Sequence, residues 1–324
     1  AGGGFPRFKK HIDPPSFYVA NDKFKVKGRT LLLPKMDGRA IRLTEALRLE
    51  GTIQCVRVTR DASGRWYASV QVADVVLPDP VHGTEVLGID VGIQTAITLS
   101  TGETFQPPYA RMSMECKKAI RARSLRLERG IARKHAVHKE RRALVKHMGG
   151  DVRRVKTSNR ERKQRLALNA IRARASDQLR DWQHKMTTLI VRRASPEHGI
   201  GIETVAPKAW MQAGQKGWAS KLARIGLGEI RRQVIYKAGA IDVPITLWPR
   251  NYASSQLCSS PDGCDHRQAM PLGVRVFCCG KCGFTVPRDH NAGRRLMPLP
   301  VNLAYLLQAT SLPESVPPSA WRDV

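Results

Sequence analysis

The chain has 324 residues, 42% hydrophobic and 25% charged, enough to bury a sizeable core and too apolar for a wholly disordered chain. Its 55 Lys+Arg against 27 Asp+Glu leave a net charge of +28, an excess suited to a polyanionic partner such as nucleic acid. No apolar run reaches the roughly 18 residues of a membrane span, and no strongly aromatic amphipathic stretch suggests a membrane surface.

The opening AGGGFPRFKK has neither an initiator Met nor the apolar stretch of a signal peptide. Residues 1–80 read as a β-rich domain. Within it, residues 51–60 and 65–76 alternate apolar and polar side chains around Asp61-Ala62-Ser63-Gly64, which predicts a hairpin. Trp66 and Tyr67 are expected to pack on the sheet rather than to stack on bases. After Pro78, Pro80 and Gly83, short apolar runs at 85–90, 93–100 and 103–106 predict a strand meander with Asp90 ending its first strand. Residues 111–193 turn helical, with Ile120, Leu127 and Ile131, then Leu166, Ile171 and Leu179, marking an apolar stripe at helical spacing. Gly149-Gly150-Asp151 splits this region into a helical hairpin. Residues 111–174 hold 22 Lys+Arg and five Asp+Glu, a local net of +17 that favours a phosphate backbone over a merely solvated face. A strand at 198–203, a helix at about 218–238, a strand at 243–248, a cysteine-bearing insertion at 254–286, a helix at 288–297 and a proline-punctuated tail at 298–324 complete the chain.

Three carboxylates recur at element ends. Asp90 closes a strand in Gly88-Ile89-Asp90-Val91-Gly92, and Glu203 closes another in Ile200-Gly201-Ile202-Glu203. Asp289 opens a helix in Arg288-Asp289-His290-Asn291-Ala292. Singly, each has an ordinary reading as a turn residue, a paired edge carboxylate or a helix cap. In the order strand, strand, helix start, they suit a metal-binding trio. Five of the seven cysteines lie between 258 and 282, which favours metal over disulfides and a reducing, cytoplasmic setting. Cys258, Cys264, Cys279 and Cys282 supply four thiolates for tetrahedral zinc, with Cys278 and His266 as lesser competitors. Cys55 and Cys116 read as ordinary core or helix residues.

These motifs together resemble the TnpB family, insertion-sequence proteins related to type V CRISPR effector nucleases. The resemblance rests on Gly-Ile-Asp-x-Gly, Ile-x-Ile-Glu, and Cys-x-x-Cys-Gly followed by Asp-x-Asn-Ala. Gly4-Phe5-Pro6-Arg7-Phe8-Lys9-Lys10, Gly228-Glu229-Ile230-Arg231-Arg232-Gln233 and Ser254-Ser255-Gln256-x-Cys258 add to it, so that it spans residues 4–297. It implies an α/β fold with an RNase H-like (RuvC-type) core at 81–253 and 287–297, carrying an inserted basic helical hairpin. It further implies a wedge-like partial β-barrel at 1–80 and a zinc ribbon at 254–286. The implied function is RNA-guided DNA endonuclease of a transposable element, with guide RNA and target DNA as partners. Asp90, bridging, would hold two Mg²⁺ (or Mn²⁺) with Glu203 and Asp289, and Zn²⁺ would be structural.

The pattern is departed from at Thr204 and Pro287, where the family commonly has acidic residues. The family also places a helical recognition part and a first barrel strand ahead of Gly4-Phe5-Pro6, so an amino-terminally truncated chain is expected, with activity of this chain alone in question. Rival readings are a guide-directed or general DNA-binding protein that does not cut, a transposase or transposase-associated DNA-binding protein, and a structural RNA-binding protein.

Overall fold

The computed structural model describes residues 15–76, 79–204, 218–271 and 273–298. The chain divides into two compact units, one made of residues 1–79 with 114–176 and the other of 80–113 with 177–324.

In the first unit, β1 (Ser16–Ala20), β5 (Thr52–Arg60) and β6 (Trp66–Ala73) form one antiparallel sheet in the order β1-β5-β6. The short strands β2 (Lys25–Lys27), β3 (Thr30–Leu32) and β4 (Ala40–Arg42) form a second. Val19, Phe24, Leu31, Val56 and Val58 pack into a small core shared by the strands of both sheets. The predicted hairpin is β5–β6, and Asp61 builds its turn by accepting from the backbone N–H of Ser63 and of Arg65. Burial is outweighed by the Ser63 hydroxyl, the Arg65 backbone N–H and the Arg65 guanidinium, which hold the Asp61 carboxyl down to about 2. Trp66 and Tyr67 depart from expectation. They stand 57% and 46% exposed, with the Arg60 and Arg65 guanidinium groups 5.6 and 5.5 Å from the ring centres. Strand alternation sets Trp66 beside Ala68 and Val70, and it lines an open cavity together with Leu31 and Ile41 of the second sheet.

The helical region consists of α2 (Met114–His147) and α3 (Asn159–Arg193), preceded by the single turn α1 (Pro108–Arg111). The break at Gly149-Gly150-Asp151 falls where predicted. Gly149 has φ +70°, a left-handed conformation that ends a helix at little cost to glycine. Within the first unit, Glu128 pairs with Arg172 at 2.8 Å, and Gly130 is buried where a side chain would strike the Gln164 amide. Leu166, expected on the apolar stripe, is 40% exposed, and Leu168 is buried instead.

The second unit is organised on a five-stranded sheet in the order β11-β10-β7-β8-β9. Its strands are β7 (Leu87–Asp90), β8 (Ile97–Leu99), β9 (Thr104–Phe105), β10 (Ile200–Glu203) and β11 (Ile245–Trp248). The β7-β8-β9 meander is antiparallel, whereas β10 runs parallel to both β7 and β11. Leu87, Ile89, Ile200 and Ile202 are fully buried and form the core with Ile190 and Val191 of α3. The helix predicted after β10 is two helices, α4 (Trp218–Ile225) and α5 (Leu227–Gly239), broken at Gly226, whose φ is +67°. A side chain there would also meet the Gln183 amide, which donates to Ile225 O at 2.8 Å. The strands β12 (Val276–Cys278) and β13 (Thr285–Pro287) form an antiparallel ribbon, and α6 (Arg288–Arg295) follows directly. Among the described residues no helix is long and apolar enough to cross a membrane.

Candidate metal centres

Strand alternation fixes the two strand-end carboxylates. With Leu87 and Ile89 buried in the core on one face of β7, Gly88 and Asp90 belong to the other. The same holds for Ile200 and Ile202 against Gly201 and Glu203 on β10. The parallel register sets Gly201 beside Gly88, so Glu203 falls beside Asp90 one step beyond the paired Ile202 and Ile89. The two glycines make a floor without side chains, and α6 with the residue after it lies on it. A Cβ on Gly88 would stand 1.9 Å from Gly293 O, and one on Gly201 1.7 Å from Leu296 O. The indole N–H of Trp248 donates to that same Leu296 carbonyl at 2.8 Å. The motif glycines therefore admit a helix backbone, and that helix carries Asp289 in its first turn. Pro287, not Asp289, is the N-cap of α6, with no side-chain capping bond.

Asp90 feels the result. Burial first, then the charges of Asp289 and Glu203, push its carboxyl up to about 8, against the opposing pull of Arg288 and the backbone N–H of Val91. Burial also raises Glu203. The oxygens of the three carboxylates do not all lie within 4.8 Å of one another. The site residue that sequence reading missed is Arg288. It lies within electrostatic reach of Asp90 while its guanidinium donates to Pro271 O at 3.0 Å. Its position immediately before Asp289 was the available signal.

The four cysteines chosen from the sequence come together: among the described residues, Cys258, Cys264, Cys279 and Cys282 are the group whose ligand atoms all lie within 4.8 Å. Cys258 Sγ is 3.6 Å from Cys282 Sγ, and Cys264 Sγ is 3.8 Å from Cys279 Sγ. Four sulfurs about 2.3 Å from one ion at tetrahedral angles stand about 3.8 Å apart, so this set fits a tetrahedral thiolate-bound metal. All seven cysteines are free, and Cys278 and His266 stand outside the group. The backbone N–H groups of Cys282 and Lys281 hold the Cys279 thiol down to about 6, whereas burial pushes Cys258 up to about 12.

The remaining sequence features have structural roles. In Gly228-Glu229-Ile230-Arg231-Arg232-Gln233, the Glu229 carboxylate accepts from Arg232 and Gln233, and buried Gln233 in turn accepts from Thr187 on α3. Thr204 N–H donates to Trp248 O, and Pro287 pairs with Val276 in the ribbon. Gly4-Phe5-Pro6-Arg7-Phe8-Lys9-Lys10 and the tail beyond 298 lie outside the described residues.

A family model, Cas12f1-like, TNB domain, matches residues 228–296. A curated protein of Streptomyces pristinaespiralis, named "Putative RNA-guided DNA endonuclease", is 28% identical over 242 residues, covering 75% of this chain and 52% of that protein. A second, the similarly named InsQ of Escherichia coli (strain K12), is 26% identical over 306 residues, covering 90% of this chain and 68% of InsQ. A solved CRISPR-Cas12f ternary complex superposes with a TM-score of 0.41 at 11% identity, covering 91% of this chain and 65% of the Cas12f chain. The chain thus spans about half the length of the Streptomyces relative. In its motifs, in the family model that it matches and in its two curated relatives, the chain is similar to TnpB-like proteins.

Proposed function

We propose that this chain carries the nuclease centre of an RNA-guided DNA endonuclease of a transposable element. The single observation that carries the reading is the convergence of three carboxylates distant in sequence: the β7–β10 register sets Glu203 beside Asp90, and the glycine floor seats the helix whose first turn carries Asp289. Carboxylates brought together by burial on strand and helix ends are the arrangement that functional centres use. An RNase H-like core is supported by the sheet order, with an antiparallel meander followed by two parallel strands and the carboxylates on one side of it. The +17 basic segment suits the backbones of a guide RNA and a target DNA.

Asp90, Glu203 and Asp289 would hold Mg²⁺, a hard cation that prefers such oxygen ligands. When bound, it supplies an acidified water and stabilises the leaving oxygen of a cleaved phosphodiester. The protein's own part is orientation. The glycine floor fixes α6, α6 presents Asp289, and Arg288, held on Pro271 O, lowers the proton affinity of Asp90 through its charge. The four cysteines would hold zinc as a structural ion bracing the insertion ahead of α6.

The test is to purify the chain with its nucleic acid, sequence the bound RNA and assay Mg²⁺-dependent cutting of a plasmid carrying the guide's target. One dominant RNA species and target-dependent cutting are expected. Asp90→Ala should abolish cutting while leaving nucleic-acid binding within about twofold. Undiminished cutting by that variant, or a random RNA population, would overturn the reading.

A further inference from the structure

Helix α6 has two working faces. Asp289, Gly293 and Leu296, at helical spacings of four and three, belong to the side that meets the sheet, where Gly293 abuts Leu99 and the Leu296 carbonyl lies over Gly201. Arg288, Asn291 and Arg295, at spacings of three and four, turn to the cysteine insertion. Arg288 donates to Pro271 O, and Arg295 to the Asp265 carboxylate at 2.6 Å. Asn291 lies between them and is fully buried.

All of the Asn291 amide is committed to the first cysteine loop. Its Oδ1 accepts from the backbone N–H of Ser259 at 3.1 Å, and its Nδ2 donates to Leu257 O at 2.7 Å and Ser254 O at 3.3 Å. Those partners fix which end of the amide is which. The residues it grips, Leu257 and Ser259, flank Cys258, whose sulfur is one corner of the four-cysteine group. Two positions before Asn291, on the same short helix, stands Asp289. A shift of the Cys258 loop therefore meets a helix that cannot rotate without forfeiting two buried hydrogen bonds and a half-buried one, and α6 cannot slide because its backbone already touches the glycine floor.

We infer that Asn291 is a positioning residue that couples metal loading at the cysteine group to cation binding at Asp90, Glu203 and Asp289. The inference rests on the carboxylate reading above and adds that the two centres are thermodynamically linked. Linkage is reciprocal: if a thiolate-bound ion steadies Asp289, a cation at the carboxylates must equally tighten the hold of the cysteines on their ion. Asn291→Ala removes the amide and leaves both ligand sets intact.

The experiment uses the full zinc-loaded chain, with Mn²⁺ alone as the probe. Zinc release to a chromogenic chelator is timed with and without saturating Mn²⁺, and Mn²⁺ affinity is measured by electron paramagnetic resonance. In the parent, Mn²⁺ should slow zinc release by about fivefold or more. In Asn291→Ala the ratio should fall to near one, even though zinc and Mn²⁺ each still bind. A merely structural residue would weaken both sites and keep the ratio, so an unchanged ratio in that variant, or a ratio of one in the parent, overturns the inference. Should Asn291→Ala not fold, Asn291→Asp decides. It keeps the acceptor for Ser259 and loses the donor to Leu257, so an intermediate ratio is expected and a parental one sinks the idea. Asp90→Asn and Asp289→Asn test the underlying reading separately. If both bind Mn²⁺ as the parent does, the carboxylate assignment itself fails, whatever Asn291 does.

Discussion

Burial and the charges of Asp289 and Glu203 keep Asp90 protonated at pH values where a free aspartate is fully ionised. The stability consequence has a definite sign. The folded carboxyl titrates at about 8 and the unfolded one near its ordinary 3.8. Between those values the folded state holds a proton that the unfolded state has lost, so metal-free stability must fall as pH rises through that window. Thermal melts in chelator should show the midpoint dropping from pH 5 to pH 8. In Asp90→Asn most of that slope should vanish, and the variant should melt higher than the parent at pH 8. A parallel slope in the two proteins would place the titration elsewhere. On the proposed reading, a cation bound there would displace the same proton, so affinity at the carboxylates should rise with pH toward 8.

At the scale of the element, α6 owes its place to residues that lack side chains. Gly201→Ala would drive a methyl into the Leu296 carbonyl and should cost about 1–3 kcal/mol or more in urea unfolding. Gly239→Ala, at the last residue of α5 with open space around it, should be neutral or stabilise by about 0.4–1 kcal/mol. Equal losses from the two changes would refute the packing argument. The insertion ahead of α6 has a core of its own, with Phe277, Met270 and Val286 around Cys258 and Cys279. A core of that size is of the kind that a metal staple would stabilise. Metal analysis of the purified chain should find about one zinc, and Cys279→Ser should lose it and lower the melting temperature. Full retention of zinc in that variant would exclude Cys279 as a ligand.

For the whole molecule the dominant quantity is charge. A net of +28 with +17 in residues 111–174 predicts duplex affinity that falls steeply with salt, since each neutralised phosphate releases counterions. Replacing Arg153, Lys156 and Arg162, which line one open basic cleft where α2 turns into α3, with glutamine should weaken binding to all sequences alike. The slope of log affinity against log salt should shrink by about one for each phosphate that is no longer neutralised. An unaltered slope would mean that this end of the hairpin does not meet the backbone.

The sequence by itself determined the local facts: strand ends at Asp90 and Glu203, a helix opening at Asp289, the break at Gly149-Gly150, and four thiolates of suitable spacing. Each of these follows from near neighbours, through alternation, turn chemistry or ligand spacing. Only the tertiary structure decided the rest. That Gly88 and Gly201 share a register and together floor a helix, that Trp66 stands exposed, that Gly226 splits one helix into two, and that Asn291 grips the residues around Cys258 all depend on partners tens of residues away. Nothing in a local pattern names such a partner, because close packing joins whatever surfaces the whole chain brings face to face.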